Sequence, residues 1–234
     1  MPRLSIEELI ERFPDFRVAF IIAAPLRVAP RAPQLSKDIA GAEMDCRTRW
    51  GGMELSAIPE VAVWRAAYKG FGVKRTSYRS SAERLIKRVL AGQPLPEINA
   101  LVDLYNMVSL ETGLCLGCDD LDKTSGDLVF RFSKAGDSFV DMGAEQGEDP
   151  NDPPKEGEVV YADSRHVLCR RWNWRQDART ASSVATRRAV LTVQSNGVGV
   201  VEAAAARLAG LIGPECGAEC RIETLDRRRP KADF

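Results

Sequence analysis

A chain of 234 residues with 44% hydrophobic residues and six cysteines is long enough to bury a sizeable core, so size imposes neither disulfides nor a structural metal. The 33 basic and 33 acidic side chains give a formal net charge of zero, which counts against a partner held by a globally basic surface, since phosphate binding rests on Lys and Arg. The longest apolar run, Val18 to Ala24, is far shorter than the roughly 20 residues of a membrane span, and nothing ahead of the cysteines reads as a signal peptide, so a cytoplasmic protein with reduced thiols is expected.

Ser5 to Phe13 reads as a short helix, with Ser5 and Glu8 in capping-box spacing ahead of Leu9, Ile10 and Phe13. Phe16 to Ala24 reads as a buried strand. Pro25, Pro30 and Pro33 mark a loop, and Pro59 opens a helix through Val61, Trp64 and Tyr68 to Gly70. Ser80 and Glu83 form a second capping box for a helix that Gly92 stops. Pro96 begins the next helix, with Ile98, Leu101, Val102 and Tyr105 on one face, Asn99, Asp103 and Asn106 near the polar side, and Gly113 at its end.

Beyond Gly113 the periodicity changes to short runs bounded by Gly, Asp and Pro: Leu114 to Cys118, Asp127 to Phe132, Ser138 to Met142, Val159 to Ala162, Val167 to Trp172 and Ala189 to Gln194. An Ala-rich helix, Val200 to Leu211, and a last strand, Ala218 to Thr224, precede a charged tail. Helices first and strands later predict an α+β fold with antiparallel or mixed sheets, as a single domain over residues 1–234. The one linker-like stretch is Gly147 to Gly157.

Charge is uneven along the chain. Seven arginines and one acid lie between Arg165 and Arg188, whereas Asp137 to Glu158 holds eight acids and one base; the two stretches are either a nucleic-acid footprint or solvated segments that neutralise each other. Cys115 and Cys118 have CxxC spacing, with Cys216 and Cys220 as a conceivable second pair, but buried free thiols are the expectation and no metal is assigned. His166 is the only histidine, at the start of a strand, and Asn196-Gly-Val-Gly199 reads as a tight turn before a helix because Glu202 stands where a dinucleotide fingerprint needs glycine. The cluster Arg170-Arg171-Trp172-Asn173-Trp174-Arg175-Gln176 is the least ordinary segment. If the strand continues through it, Trp172 and Trp174 share one face, and the surface suits either stacked bases or a core anchored by two indoles.

The order Asn99-Ala-Leu-Val-Asp103-Leu-Tyr-Asn106, Asp120-Leu-Asp-Lys123, Gly157-Glu-Val-Val-Tyr-Ala-Asp163, the Trp172 cluster and Thr186 resembles the B3/B4 domain, the editing module of the bacterial phenylalanyl-tRNA synthetase beta subunit. It is more similar to that module's free-standing relatives, and the resemblance covers about residues 77–195. It implies a three-layer α+β sandwich with helices on one side, a ligand pocket between its halves, and hydrolysis of the ester joining a wrong amino acid to tRNA, without a cofactor. The vicinal ribose hydroxyl can assist the attacking water, so no histidine triad is required. The implied partners are the acceptor end of tRNA and an amino acid, and the implied contacts are Asn99, Asp103, Asn106, Asp120, Trp172, Asn173, Trp174, Arg175 and Gln176, with Thr186 or Asn173 positioning water or substrate. Gly117 replaces the synthetase's histidine and Tyr105 its threonine, which points to a different amino acid. A non-catalytic RNA-binding module and an amino-acid-binding protein are the other readings.

Overall fold

The computed structural model describes residues 2–73 and 78–234; Ser77, the first residue of the resemblance, lies outside them. In chain order the strands are β1 (Arg3–Ser5), β2 (Phe16–Ala24), β3 (Cys115–Asp120), β4 (Leu128–Phe132), β5 (Val159–Ala162), β6 (Val167–Arg170), β7 (Arg175–Gln176), β8 (Ala189–Asn196), β9 (Glu219–Leu225) and β10 (Lys231–Asp233). The helices are α1 (Pro33–Trp50), α2 (Pro59–Gly70), α3 (Ser81–Leu90), α4 (Ala100–Thr112) and α5 (Val201–Cys216). None of them is long and apolar enough to cross a membrane.

The strands form two sheets. One is antiparallel, in the order β3-β8-β2-β9; the other, β10-β1-β4-β5-β6-β7, is antiparallel except for the parallel pair β1/β4. Period-two alternation along β2 explains the layering. Ala19, Ile21 and Ala23 pack with α1, α4 and α5, whereas Phe16, Val18 and Phe20 pack toward Phe130 and Tyr161 of the second sheet. The result is the expected α+β arrangement of helices, sheet and sheet.

Several element ends depart from the sequence reading for identifiable reasons. Ser5 belongs to β1, so the segment that follows makes only a 3-10 turn, Glu7–Leu9, and Glu8 accepts a hydrogen bond from the Phe132 amide at 3.0 Å instead of closing a capping box. Helix α1 occupies the stretch after Pro33, to which the sequence reading assigned no element: Pro33 sits in its first turn, and Leu35, Ile39, Ala42, Cys46 and Trp50 form one buried stripe. Ser138 to Met142 contributes isolated bridges at Val140 and Asp141 rather than a strand. β6 stops at Arg170 because Arg171 and Trp172 adopt left-handed φ values of 47° and 68°.

Helix α4 begins at Ala100, not Pro96. Asn99 is its cap, its Oδ1 accepting from the Val102 amide at 3.0 Å, and Gly113 ends it with φ of 72°. Asn99→Ala is accordingly expected to lower the unfolding free energy by about 1 kcal/mol, measured by urea denaturation; a change near zero would show that the cap is dispensable.

Candidate functional site

A cleft of ≈ 730 Å³ lies between the two sheets where α3 and α4 cross their open end. Its floor follows from strand register. On the second sheet Tyr161 pairs with Cys169 and Cys169 with Gln176, so these three form a row across β5, β6 and β7. On the first sheet Gly117 lies opposite Thr192, with Cys115 opposite Gln194. Glycine at 117 leaves room between the rows. Val102, Tyr105 and Asn106 of α4 form one wall, and Ser81, Arg84 and Leu85 of α3 another. A smaller hollow of ≈ 390 Å³ beside Arg17 and Asp226 shares no residue with the cleft.

The floor is tied together by side-chain hydrogen bonds. Asn173 accepts from the Tyr68 hydroxyl at 2.8 Å and donates to Gln194 Oε1 at 3.3 Å, and Gln194 donates to Thr192 Oγ1 at 3.0 Å. Gln176 Nε2 donates to the Cys118 carbonyl and to Asp119 Oδ1, the latter at 2.9 Å, and Thr180 Oγ1 donates to the same carboxylate oxygen at 2.7 Å. These side chains are therefore held in fixed rotamers. At the mouth, Trp174 meets Tyr78 edge to face at 5.0 Å, and the Arg171 guanidinium lies 4.3 Å from the Trp174 ring centroid. Arg175 binds Asp141 at 2.5 Å and the Gly143 carbonyl at 2.9 Å. Arg79, Arg84, Lys87 and Arg88 complete a cationic rim.

The structure thus brings Asn106, Asn173, Trp174, Arg175 and Gln176 together on the cleft. It places five other residues of the sequence reading elsewhere. Asn99 caps α4. Asp103 is fully buried against Arg31 Nε at 2.8 Å and accepts from the Ile98 amide at 3.1 Å. Asp120 accepts from the Asp122 amide at 3.1 Å and from Thr186 Oγ1 at 2.8 Å, so that pair fixes the loops flanking β3 and β8. Trp172 does not share a face with Trp174: the two left-handed residues turn its indole into the core against Phe13, Phe16 and Trp64. Arg170 is likewise buried, paired with Glu158 at 2.9 Å and with Asp152. Cys115 and Cys118, an odd number of positions apart, point to opposite sides of β3 and do not converge.

Asp119, Tyr161, Thr192 and Gln194 were not singled out in the sequence. Alternation on β3 carries the signal for Asp119, which is two residues from Gly117 and so shares its side of the strand. Burial pushes the Asp119 carboxyl up to about 7, helped by Asp177 and Asp163 and opposed by the bonds from Thr180 and Gln176. Burial also raises the thiols of Cys118 and Cys169, so neither is a thiolate at neutral pH.

An acid harder to ionise in the folded state than in the unfolded one contributes a stability loss that grows as pH rises from the ordinary carboxyl range, 3.8, to about 7, then levels. Asp119→Asn is therefore expected to remove a downward slope of up to about 1.4 kcal/mol per pH unit across that window. Unfolding free energies of both proteins against pH test this; parallel profiles would show that Asp119 ionises normally.

Residues 63–209 match the family model of the B3/4 domain. Among solved structures, an N-terminal fragment of the phenylalanyl-tRNA synthetase beta subunit from Pyrococcus horikoshii is similar over 93% of this chain at 12% identity, with a TM-score of 0.49. The match covers 50% of that fragment, so this chain spans half its length. None of the curated proteins matches the sequence.

Proposed function

Because the chain belongs to the B3/4 domain family, we propose that its cleft receives the aminoacyl end of a charged tRNA and hydrolyses the ester. The observation that carries this reading is the division of the cleft into a cationic mouth and a fixed polar floor. Arg79, Arg84, Lys87 and Arg88 suit the phosphates of a single-stranded terminus, and Trp174, with the Arg171 and Arg175 guanidiniums against its ring, supplies an aromatic and cationic surface for its adenine. This local rim supplies what the zero net charge of the whole chain does not.

The floor suits the aminoacyl group. Asn173 Nδ2 donates to Gln194 and keeps a second N–H for the ligand. Deacylation adds water across the ester and releases a free amino acid and the ribose hydroxyl. The chain's part is to orient the ester and exclude competing geometries, with the vicinal ribose hydroxyl assisting the water. Binding of an amino acid without RNA is the second reading, favoured by the neutral overall charge.

The test is release of amino acid from a panel of correctly and incorrectly charged tRNAs. One mischarged species is expected to be hydrolysed, and Trp174→Ala to lower kcat/KM for it by roughly tenfold to a hundredfold, the scale of one lost base-stacking contact. Salt-dependent tRNA binding with no release from any species would identify a binding module instead. Binding of free amino acid with no affinity for tRNA would identify the amino-acid-binding reading.

A further inference from the structure

Two polar groups on the cleft floor lack partners that the protein itself could supply. Asp119 is the only acid among the cleft's described lining residues and is 4% exposed. Both of its donors, Thr180 Oγ1 and Gln176 Nε2, go to Oδ1. Among the described residues no donor reaches Oδ2, and no Lys or Arg pairs with this carboxyl. Tyr161 is 2% exposed, lines the same cleft, and has a hydroxyl with no hydrogen-bond partner. A buried hydroxyl without a partner costs free energy unless a ligand or solvent satisfies it.

The groups facing Asp119 leave it in negative or neutral company. Tyr161 approaches from β5, Cys169 from β6 and Tyr105 from α4, with Cys118 beside it on β3, and the carboxylates of Asp163 and Asp177 add negative charge. Arg84 and Arg175 stand at the mouth. Burial raises the Tyr161 hydroxyl well above its ordinary range, so it remains a donor. The floor therefore presents one unfilled anionic acceptor and one unfilled neutral donor. An α-aminoacyl ester carries their complements on adjacent carbons, an ammonium that donates and a carbonyl oxygen that accepts.

We propose that Asp119 Oδ2 and Tyr161 Oη form the subsite for the α-aminoacyl backbone of the ligand, the ammonium at Asp119 and the ester carbonyl at Tyr161. The cleft thereby distinguishes an α-amino ester from its deaminated counterpart. This inference rests on the reading of the cleft as an aminoacyl-ester site. It leaves the amino-acid side chain to the apolar wall of Val102, Tyr105 and Leu116. Pairing needs the Asp119 carboxylate and the protonated amine together; burial raises the carboxyl to about 7 and an α-amino group loses its proton at about 8, so discrimination is greatest between those values.

The test uses two non-hydrolysable probes that differ only in the amino group: 3′-alanylamino-3′-deoxyadenosine and its propionylamino analogue, measured by calorimetry on the full chain. Wild type is expected to bind the alanyl probe about tenfold more tightly or better, the scale of a charge-assisted hydrogen bond. Asp119→Asn should abolish that preference while keeping the affinity for the propionyl probe. Tyr161→Phe should weaken both probes by a similar factor and keep the preference. Equal binding of both probes by wild type, or a preference that survives Asp119→Asn, would overturn the subsite and leave the broader reading standing. Binding of neither probe by wild type would remove both. Should Asp119→Asn not fold, the wild-type comparison decides alone: equal binding of the two probes sinks the proposal.

Discussion

Trp172→Ala is expected to lower the unfolding free energy by about 4 kcal/mol, within the 3–5 kcal/mol typical of removing a buried large aromatic. The indole is fully buried and lies 4.7 Å from Phe13, 4.8 Å from Phe16 and 5.2 Å from Trp64 by ring centroids, all edge to face. Phe13 precedes β2, Phe16 begins it, Trp64 belongs to α2, and the Trp172 amide donates to the Val159 carbonyl of β5. The indole therefore ties β2 to α2 while its own backbone is bonded to β5, and no neighbour can collapse into its place without moving an element. Its Nε1 has no hydrogen-bond partner, so deletion also relieves a small desolvation cost, which places the effect below the top of the range. Trp172→Phe should recover most of the loss. Urea denaturation of the three proteins measures this, and a loss for alanine under 1 kcal/mol would mean that the aromatic cluster does not tie the sheets together. Asn173, the next residue, lies on the cleft floor, so loosening Trp172 should also weaken ligand binding.

The contrast between Trp172 and Trp174 shows how far the sequence could be read. Where one periodicity holds, residues alone locate the element: Phe16–Ala24 is β2 and Pro59–Gly70 is α2 as the pattern has them, and Ser80 caps α3 by accepting from the Glu83 amide. The pattern fails where a non-glycine residue takes φ > 0, because alternation assumes an extended chain. Arg171 and Trp172 do so in succession, and the second tryptophan moves from a shared face to the opposite environment.

Long-range partners were equally hidden. β1 and β10 are three residues each and exist because they pair with one another and β1 pairs with β4. Helix α1 carries its signal in the stripe of Leu35, Ile39, Ala42, Cys46 and Trp50, which the sequence reading passed over beyond the loop marked by three prolines. For the cleft, the cluster around Asn173 stood out by composition. Tyr161, Thr192 and Gln194 read as strand interior, because only the packing of two sheets shows which strand faces look into a gap. Gly117 was noticed as an imidazole missing from a pattern, and its structural meaning is an opening.

That opening gives the second large expected effect: Gly117→Val should reduce ligand binding and any deacylation by about a hundredfold while leaving the fold intact. Glycine is not needed here for the backbone, since its φ lies outside the left-handed range that other residues avoid. A Cβ at 117 would meet Thr192 Oγ1 at 3.6 Å, an ordinary contact, so Gly117→Ala should fold normally and bind only a few-fold more weakly. Valine adds two methyl groups to the side of β3 that faces Tyr161 and Gln176. Branching at Cβ favours an extended strand, which works for stability rather than against it. Its volume must then come from the cleft, and an occupant forced to compress or withdraw loses about 3 kcal/mol of interaction, equivalent to the hundredfold. Thermal melting beside binding of the alanylamino-adenosine probe separates the two effects. A variant that melts like wild type and has lost the probe would place the aminoacyl group between β3 and the row formed by Tyr161, Cys169 and Gln176. Unchanged affinity would put the occupant at the outer end, on Trp174 and the arginine rim, and would leave Asp119 without a ligand to read.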